Sequence, residues 1–194
     1  MQNTPRNARA GFSLIEMLAV ISIIVILASL VVGGMGFVSE KQAKSKALVQ
    51  MALISKALEE YKLDFGTYPV TDNPLKGEGT SKILFKALYW DSNNDGKGAV
   101  VGNATGDENQ KIYLAELDPA DNRQGWTSGT PSITTRILDP WGNEYRYRTA
   151  VNAAGTSNSN TQNPDFDLWS VGKDGKTNPG SPKDKVNADD IKSP

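Results

Sequence analysis

From Met17 to Val38 the chain reads MLAVISIIVILASLVVGGMGFV, free of charge and dominated by Ile, Val and Leu. At about 1.5 Å of rise per residue, a helix this long crosses a hydrocarbon layer about 30 Å thick. A core helix of a soluble domain is usually shorter and apolar on one side only. A cleaved secretory signal has an apolar region of about 7–15 residues closed by an A-x-A-like site, which this run lacks. The run therefore predicts a retained membrane helix. Arg6 and Arg9 precede it with no acid in Met1–Gly11, and mixed charges begin after it with Glu40 and Lys41. The positive-inside rule then places the N-terminus in the cytoplasm and the polar bulk across the membrane.

Beyond the run the pattern becomes periodic. Ala47, Met51, Ile54, Leu58, Tyr61 and Phe65 recur every three or four positions, with Lys44, Lys46, Lys56, Glu59, Glu60 and Lys62 between them. That is one helix face and its solvent side. Gly66 offers a C-cap and Pro69 forbids continuation, so the helix is predicted to end near Phe65. Phe12 to Phe65 would form a rod of about 80 Å. Gly33, Gly34 and Gly36 weaken it in the middle; they serve either as a flexible point or as small residues for close helix packing in the membrane.

From Tyr68 onward the sequence is rich in Gly, Asn, Asp, Ser and Pro. Thr71–Thr80, Asp91–Asn109 and Ala153–Pro164 read as loops. Strands are predicted at Lys111–Leu114, Ser132–Ile137, Tyr145–Arg148 and Phe166–Ser170. Ser81–Trp90 reads as a short helix with Ile83, Leu84, Leu88 and Tyr89 facing inward. The predicted class is α+β: a long N-terminal helix whose apolar face packs against a small antiparallel sheet with extended loops.

Composition narrows the chemistry. Lys plus Arg number 21 and Asp plus Glu 22 in 194 residues, a net charge of −1. A nucleic-acid binder should carry a basic surplus. Cys and His are both absent, which excludes disulfides, thiolate zinc sites, cysteine nucleophiles and Ser-His-Asp catalysis. Carboxylate pairs or Ser–Lys remain, and no spacing singles out such a pair. Glu59 and Glu60 lie on the solvent side of the helix, and Trp141, Tyr145 and Tyr147 read as packing residues. No enzyme is expected. One residue resists the description of a plain anchor: Glu16 lies inside the apolar stretch Phe12–Val38. A carboxylate there is costly unless paired or protonated, so it either snorkels to the head groups or meets a positive partner.

Gly11-Phe12-Ser13-Leu14-Ile15-Glu16, after a short basic leader, resembles the N-terminus of type IV pilins and pseudopilins. The resemblance implies cleavage after Gly11 by a membrane aspartyl prepilin peptidase and N-methylation of Phe12. It also implies that Glu16 neutralises the new amine of a neighbouring subunit. The corresponding organisation is a leader at 1–11, a transmembrane and assembly helix at 12–38, its amphipathic continuation at 39–66, and an extracytoplasmic head at 67–194. Asp139-Pro140-Trp141-Gly142-Asn143-Glu144-Tyr145-Arg146-Tyr147 resembles the DPWG-x-x-Y-x-Y segment of major, G-type pseudopilins of type II secretion systems. Phe166–Lys176 and Asp189-Asp190-Ile191 resemble the strand and terminal calcium loop of the same family, here lengthened by Pro179–Val186. The Asp91–Arg136 region is also longer than the family pattern.

That resemblance implies a structural, calcium-stabilised subunit that polymerises into a pseudopilus. Its partners would be other copies of itself, minor pseudopilins, the prepilin peptidase, the inner-membrane assembly platform and membrane lipid. It would be a single-pass inner-membrane protein with a periplasmic head. The alternatives are a type IV pilin of a surface filament and a monomeric, membrane-tethered binding domain. By the family pattern, Ca2+ is held by the side chains of Asp174, Asp189 and Asp190 and the backbone carbonyl of Val171. Calcium takes six to eight oxygens from carboxylates and carbonyls, and Gly175 lets the backbone curl after Asp174. The competing reading is a solvated acidic tail neutralised by Lys173, Lys176, Lys183 and Lys185.

A second metal candidate is Asp91-Ser92-Asn93-Asn94-Asp95-Gly96, the D-x-N-x-D-G opening of an EF-hand, with Asp91, Asn93 and Asp95 as ligands. Its twelfth position is Gly102 where the motif wants a bidentate Glu, so Asp107 or Glu108 would have to close it. Asp, Asn and Gly are also ordinary turn residues.

Overall fold

The computed structural model describes residues 12–71, 77, 79–92, 110–122, 124–128, 134–152 and 154–193, without the side chains of 33–35 and 37. The chain divides into two compact units, Met1–Gln42 and Ala43–Pro194. Helix α1, Leu14–Phe65, begins in the first and ends in the second. It continues through Gly33, Gly34 and Gly36 and stops where predicted. Gly66 takes φ +75° there, a left-handed conformation that glycine adopts without a Cβ clash, and its N–H donates to the Lys62 carbonyl at 2.7 Å. Within the first unit, Leu14–Val32 is long and apolar enough to cross a membrane, and none of it is buried by the rest of the chain.

In the second unit Ala47, Met51, Ile54 and Leu58 are buried, as their spacing predicts, together with Gln50 and Ala57. Tyr61 is half-buried and Phe65 is 46% exposed. These two rings lie against each other with centroids 4.5 Å apart, and Tyr61 meets Tyr113 edge-on at 5.5 Å. The core is completed by Leu84, Phe85, Leu88, Leu117, Ile137, Tyr145, Tyr147 and Leu168.

The sheet is antiparallel, in the order β1 (Arg146–Thr149), β2 (Phe166–Ser170), β3 (Ile191–Lys192). Tyr147 pairs with Leu168 on the core face, and Arg148 with Asp167 on the other. Both faces are buried over this stretch. The second is closed by an Arg148–Asp167 ion pair (Nε to Oδ2, 2.8 Å) with the guanidinium over the Trp169 ring.

Several expectations are corrected. β1 begins one residue later than predicted, β2 matches, and β3 was not foreseen. Lys111–Leu114 is not a strand: the N–H groups of Tyr113 and Leu114 both donate to the Leu88 carbonyl, so this segment docks on a helix end. Of Ser132–Ile137, residues 132 and 133 lie outside the described residues. The remainder forms no strand, and Ile137 makes a single bridge with Thr127. Ser81–Trp90 is helical in two parts, α2 (Ser81–Phe85) and a wide π-type turn over Lys86–Trp90, closed by Asp91 N–H to the Lys86 carbonyl at 2.8 Å. Its inward set is Leu84, Phe85, Ala87, Leu88 and Tyr89, with Ile83 half-buried. Residues 84/85 and 88/89 share a face at four-residue spacing, which leaves Ile83 at its edge.

Candidate functional site

Two regions carry the chemistry. At the N-terminal end Gly11 lies outside the described residues, and Phe12 is 76% exposed. Glu16 sits in the first turn of α1, where its Oε2 accepts from the Ser13 backbone N–H at 2.8 Å. Ser13 Oγ in turn accepts from the Ile15 N–H at 3.3 Å. This is a reciprocal cap of the S-x-x-E type, legible in Ser13-Leu14-Ile15-Glu16 and missed by the sequence reading. The carboxylate also faces the positive end of the helix dipole. Glu16 is thus compensated locally, one turn from the residue at which the new amine would form.

The second region joins the DPWG turn to the terminal loop. Asp139 is buried. Its Oδ1 accepts from the N–H groups of Trp141 (3.0 Å) and Asn143 (2.9 Å), and its Oδ2 from Ser170 Oγ (2.6 Å). Burial raises its carboxyl above the usual range despite these hydrogen bonds. Six residues on, Tyr145 is fully buried and donates from its hydroxyl to Gln50 Oε1 on α1 at 2.8 Å. Tyr147 likewise donates to the Pro69 carbonyl at 3.0 Å. The aromatic residues of this motif are packing residues, as expected.

In the terminal loop Val171 is buried and Gly172 takes φ +66°. A Cβ at Gly172 would lie 2.5 Å from the Asp189 carbonyl oxygen and 2.6 Å from its Oδ2, so only glycine allows Asp189 this approach. Asp189 Oδ2 accepts from the Asp174 N–H at 3.0 Å, and Asp174 Oδ1 from the Lys176 N–H at 2.8 Å. Asp190 Oδ2 accepts from Thr177 Oγ1 at 2.8 Å, while its Oδ1 is buried without a hydrogen-bond partner. Burial, and then the negative charges of Asp189 and Asp174, raise the Asp190 carboxyl.

The loop therefore brings Asp174, Asp189 and Asp190 within electrostatic reach of one another. Among the described residues, however, no three carboxylates converge into a metal cage by themselves. The all-oxygen donors, the orphaned Asp190 Oδ1 and the glycine-opened approach of Asp189 fit a hard cation completed by backbone carbonyls. At the other metal candidate, Asp91 is buried and Lys86 Nζ stands 3.4 Å from its Oδ2. Asn93 and Asp95 lie outside the described residues, as do Gly102, Asp107 and Glu108.

Residues 6–32 match the model of the prokaryotic N-terminal methylation motif, and residues 107–189 that of type II secretion system protein G. Core protein G of type II secretion from Pseudomonas aeruginosa is 31% identical over 171 residues, covering 88% of each chain. The chain belongs to the type II secretion system core protein G family. Core protein G of Escherichia coli K12 is 31% identical over 88% of this chain and 86% of its own length. That of Vibrio cholerae is 30% identical over 72% and 70%. The crystal structure of the major pseudopilin from the type 2 secretion system of enterohaemorrhagic Escherichia coli is similar with a TM-score of 0.41 at 20% identity. The match covers 82% of this chain and 92% of that one. As a core protein G family member with an apolar, unburied N-terminal helix, the chain is a membrane-anchored structural subunit of a secretion system.

Proposed function

We propose that the chain is the major subunit of a type II secretion pseudopilus, polymerising through α1 to drive protein export. The observation that carries this reading is the helix Leu14–Val32, apolar and wholly unburied by its own chain, led by Phe12 and Glu16 in a core protein G sequence. Before assembly, lipid covers this surface; in a filament, other copies of α1 do. Cleavage after Gly11 frees an amine at Phe12, and Glu16 on an adjacent copy supplies the matching negative charge, which favours a fixed axial stagger. In this reading the N-terminus faces the cytoplasm, the head lies in the periplasm, and the prepilin peptidase, assembly platform and minor pseudopilins are its partners.

The same reading gives the terminal loop a structural calcium ion. Asp174, Asp189 and Asp190 and the Val171 carbonyl would hold it. When bound, the ion would supply positive charge to the acidic loop and a ligand for the orphaned Asp190 oxygen. Its affinity for the folded head alone would stabilise that head by mass action.

Deletion of the chromosomal copy tests the function. Loss of type II substrates from the medium, restored by the intact chain, is expected, as are filaments of this chain on overproduction. Normal export from the deletion strain would overturn it.

A further inference from the structure

We infer that Asn143 is a positioning residue for the calcium loop, reaching from the DPWG turn to set the backbone that presents the ion's ligands. The inference rests on the calcium reading above and goes beyond its ligands. Asn143 Nδ2 donates to the Gly172 carbonyl at 2.7 Å, across 29 residues of sequence. Its Oδ1 lies 3.0 Å from where a Cβ on Gly175 would stand. The side-chain amide thus occupies the inside of the 172–175 turn, between its first and last glycines, both left-handed at φ +66° and +68°.

Asn143 is itself fixed. Its N–H donates to Asp139 Oδ1 at 2.9 Å, and its carbonyl accepts from the Asp139 N–H at 2.7 Å.

The neighbouring peptide is held from the same turn. Ser170 Oγ donates to Asp139 Oδ2 at 2.6 Å and accepts from the Gly172 N–H at 3.1 Å. A trans peptide is planar, with its N–H and C=O pointing oppositely. Anchoring the Gly172 N–H therefore fixes the direction of the Val171 carbonyl, the backbone ligand. Asn143 fixes the next peptide in line by holding the Gly172 carbonyl, which leads through Lys173 to Asp174. The two consecutive peptide planes between Val171 and Lys173 are thus clamped by groups that touch no ion. Without Asn143 the glycine-bearing turn regains freedom that ion binding would have to remove. Loss of residues that orient metal ligands typically weakens affinity 10–100-fold.

The test uses the full chain in detergent micelles, titrated calorimetrically with calcium chloride and melted with calcium or chelator. In Asn143→Ala the calcium dissociation constant should rise about tenfold or more. The chelated protein should melt closer to wild type than the calcium-loaded one does. Asn143→Ser, which keeps a turn-forming residue but cannot span to the Gly172 carbonyl, should behave alike and serves if the alanine variant does not fold. If wild type binds calcium and the variants bind it equally well, or if their calcium-free and calcium-loaded forms are destabilised by the same amount, Asn143 is only a turn residue and the inference is overturned. If wild type itself neither binds calcium nor gains stability from it, the calcium reading falls, and the inference with it.

Discussion

The Tyr145 hydroxyl donates to Gln50 Oε1 at 2.8 Å, and both residues are shut off from solvent. One residue before its own strand begins to pair with β2 at Arg146, the motif thereby reaches α1 itself. Gln50 is the one polar residue among Ala47, Met51, Ile54 and Leu58, and its Nε2 has no partner. Tyr145→Phe removes the donor and leaves the whole amide unsatisfied, at a cost of about 1–3 kcal/mol. A lowered unfolding midpoint in denaturant should be accompanied by an unchanged slope. Wild-type stability in the variant would mean that water replaces the hydroxyl.

Arg148 and Asp167 set a second test. Asp167 accepts from Arg148 Nε and also from the N–H groups of Gln162 and Asn163, so it ties the 158–165 loop to the sheet. Asp167→Ala removes the carboxylate that faces a buried guanidinium and should cost about 3–5 kcal/mol. Adding Arg148→Met should recover part of that loss, because the buried charge is then removed along with its carboxylate. A double variant worse than the single one would show that the loop ties, and not the charge, dominate.

For Glu16 the cap and the charge can be separated. Glu16→Gln keeps a side-chain oxygen for the Ser13 N–H and loses only the charge, whereas Glu16→Ala loses both. Both variants should be processed normally and fail to assemble, scored by filament yield and cross-linking in cells. If Glu16→Gln assembles like wild type, the cap is what assembly needs.

Processing itself is read by mass. The mature chain recovered from membranes should lack residues 1–11 and carry one methyl group on the Phe12 amine. An intact leader in cells with an active prepilin peptidase would refute cleavage at Gly11.

Asp190 gives a pH signature. Its carboxyl is raised in the folded state, so its stabilising contribution is present below the unfolded value of 3.8 and is lost as pH rises through the folded one. In chelator, Asp190→Asn should therefore be more stable than wild type at neutral pH, and the gap should close on acidification toward about pH 4. With calcium the order at neutral pH should reverse, because only the wild-type carboxylate attracts the ion. Thermal melting of the two proteins across pH, with and without calcium, checks both signs. A gap that does not change with pH would remove Asp190 from the titration.

Elements that declare themselves locally were legible. The charge-free run and the three-to-four spacing of Ala47 through Phe65 gave α1 both its halves, and Gly66 with Pro69 gave its end. Phe166–Ser170 is legible because its residues read as strand and the flanking Ala153–Pro164 reads as loop. Lys111–Leu114 has the same local look, but its N–H groups bond to the Leu88 carbonyl, a partner that no local pattern names. β3 is two residues long and exists only by pairing with Trp169 and Ser170. The site divides in the same way. The acidic residues of the terminal loop stood out by resemblance. Asn143, following Pro-Trp-Gly, reads as one more turn former until its amide is seen on Gly172.

The outer edge of β1 is already occupied. The Tyr147 N–H donates to Thr80 Oγ1 at 3.0 Å, and Gly77 lies so close that a Cβ there would stand 3.2 Å from the same nitrogen. At the opposite edge β3 offers only two residues. Open sheet edges are templates on which crowded proteins stack strand upon strand. In the proposed pseudopilus, copies of the head crowd together and meet that hazard. By covering one border and shortening the other, the head withholds lateral strand exchange and leaves the choice of neighbour to the helix.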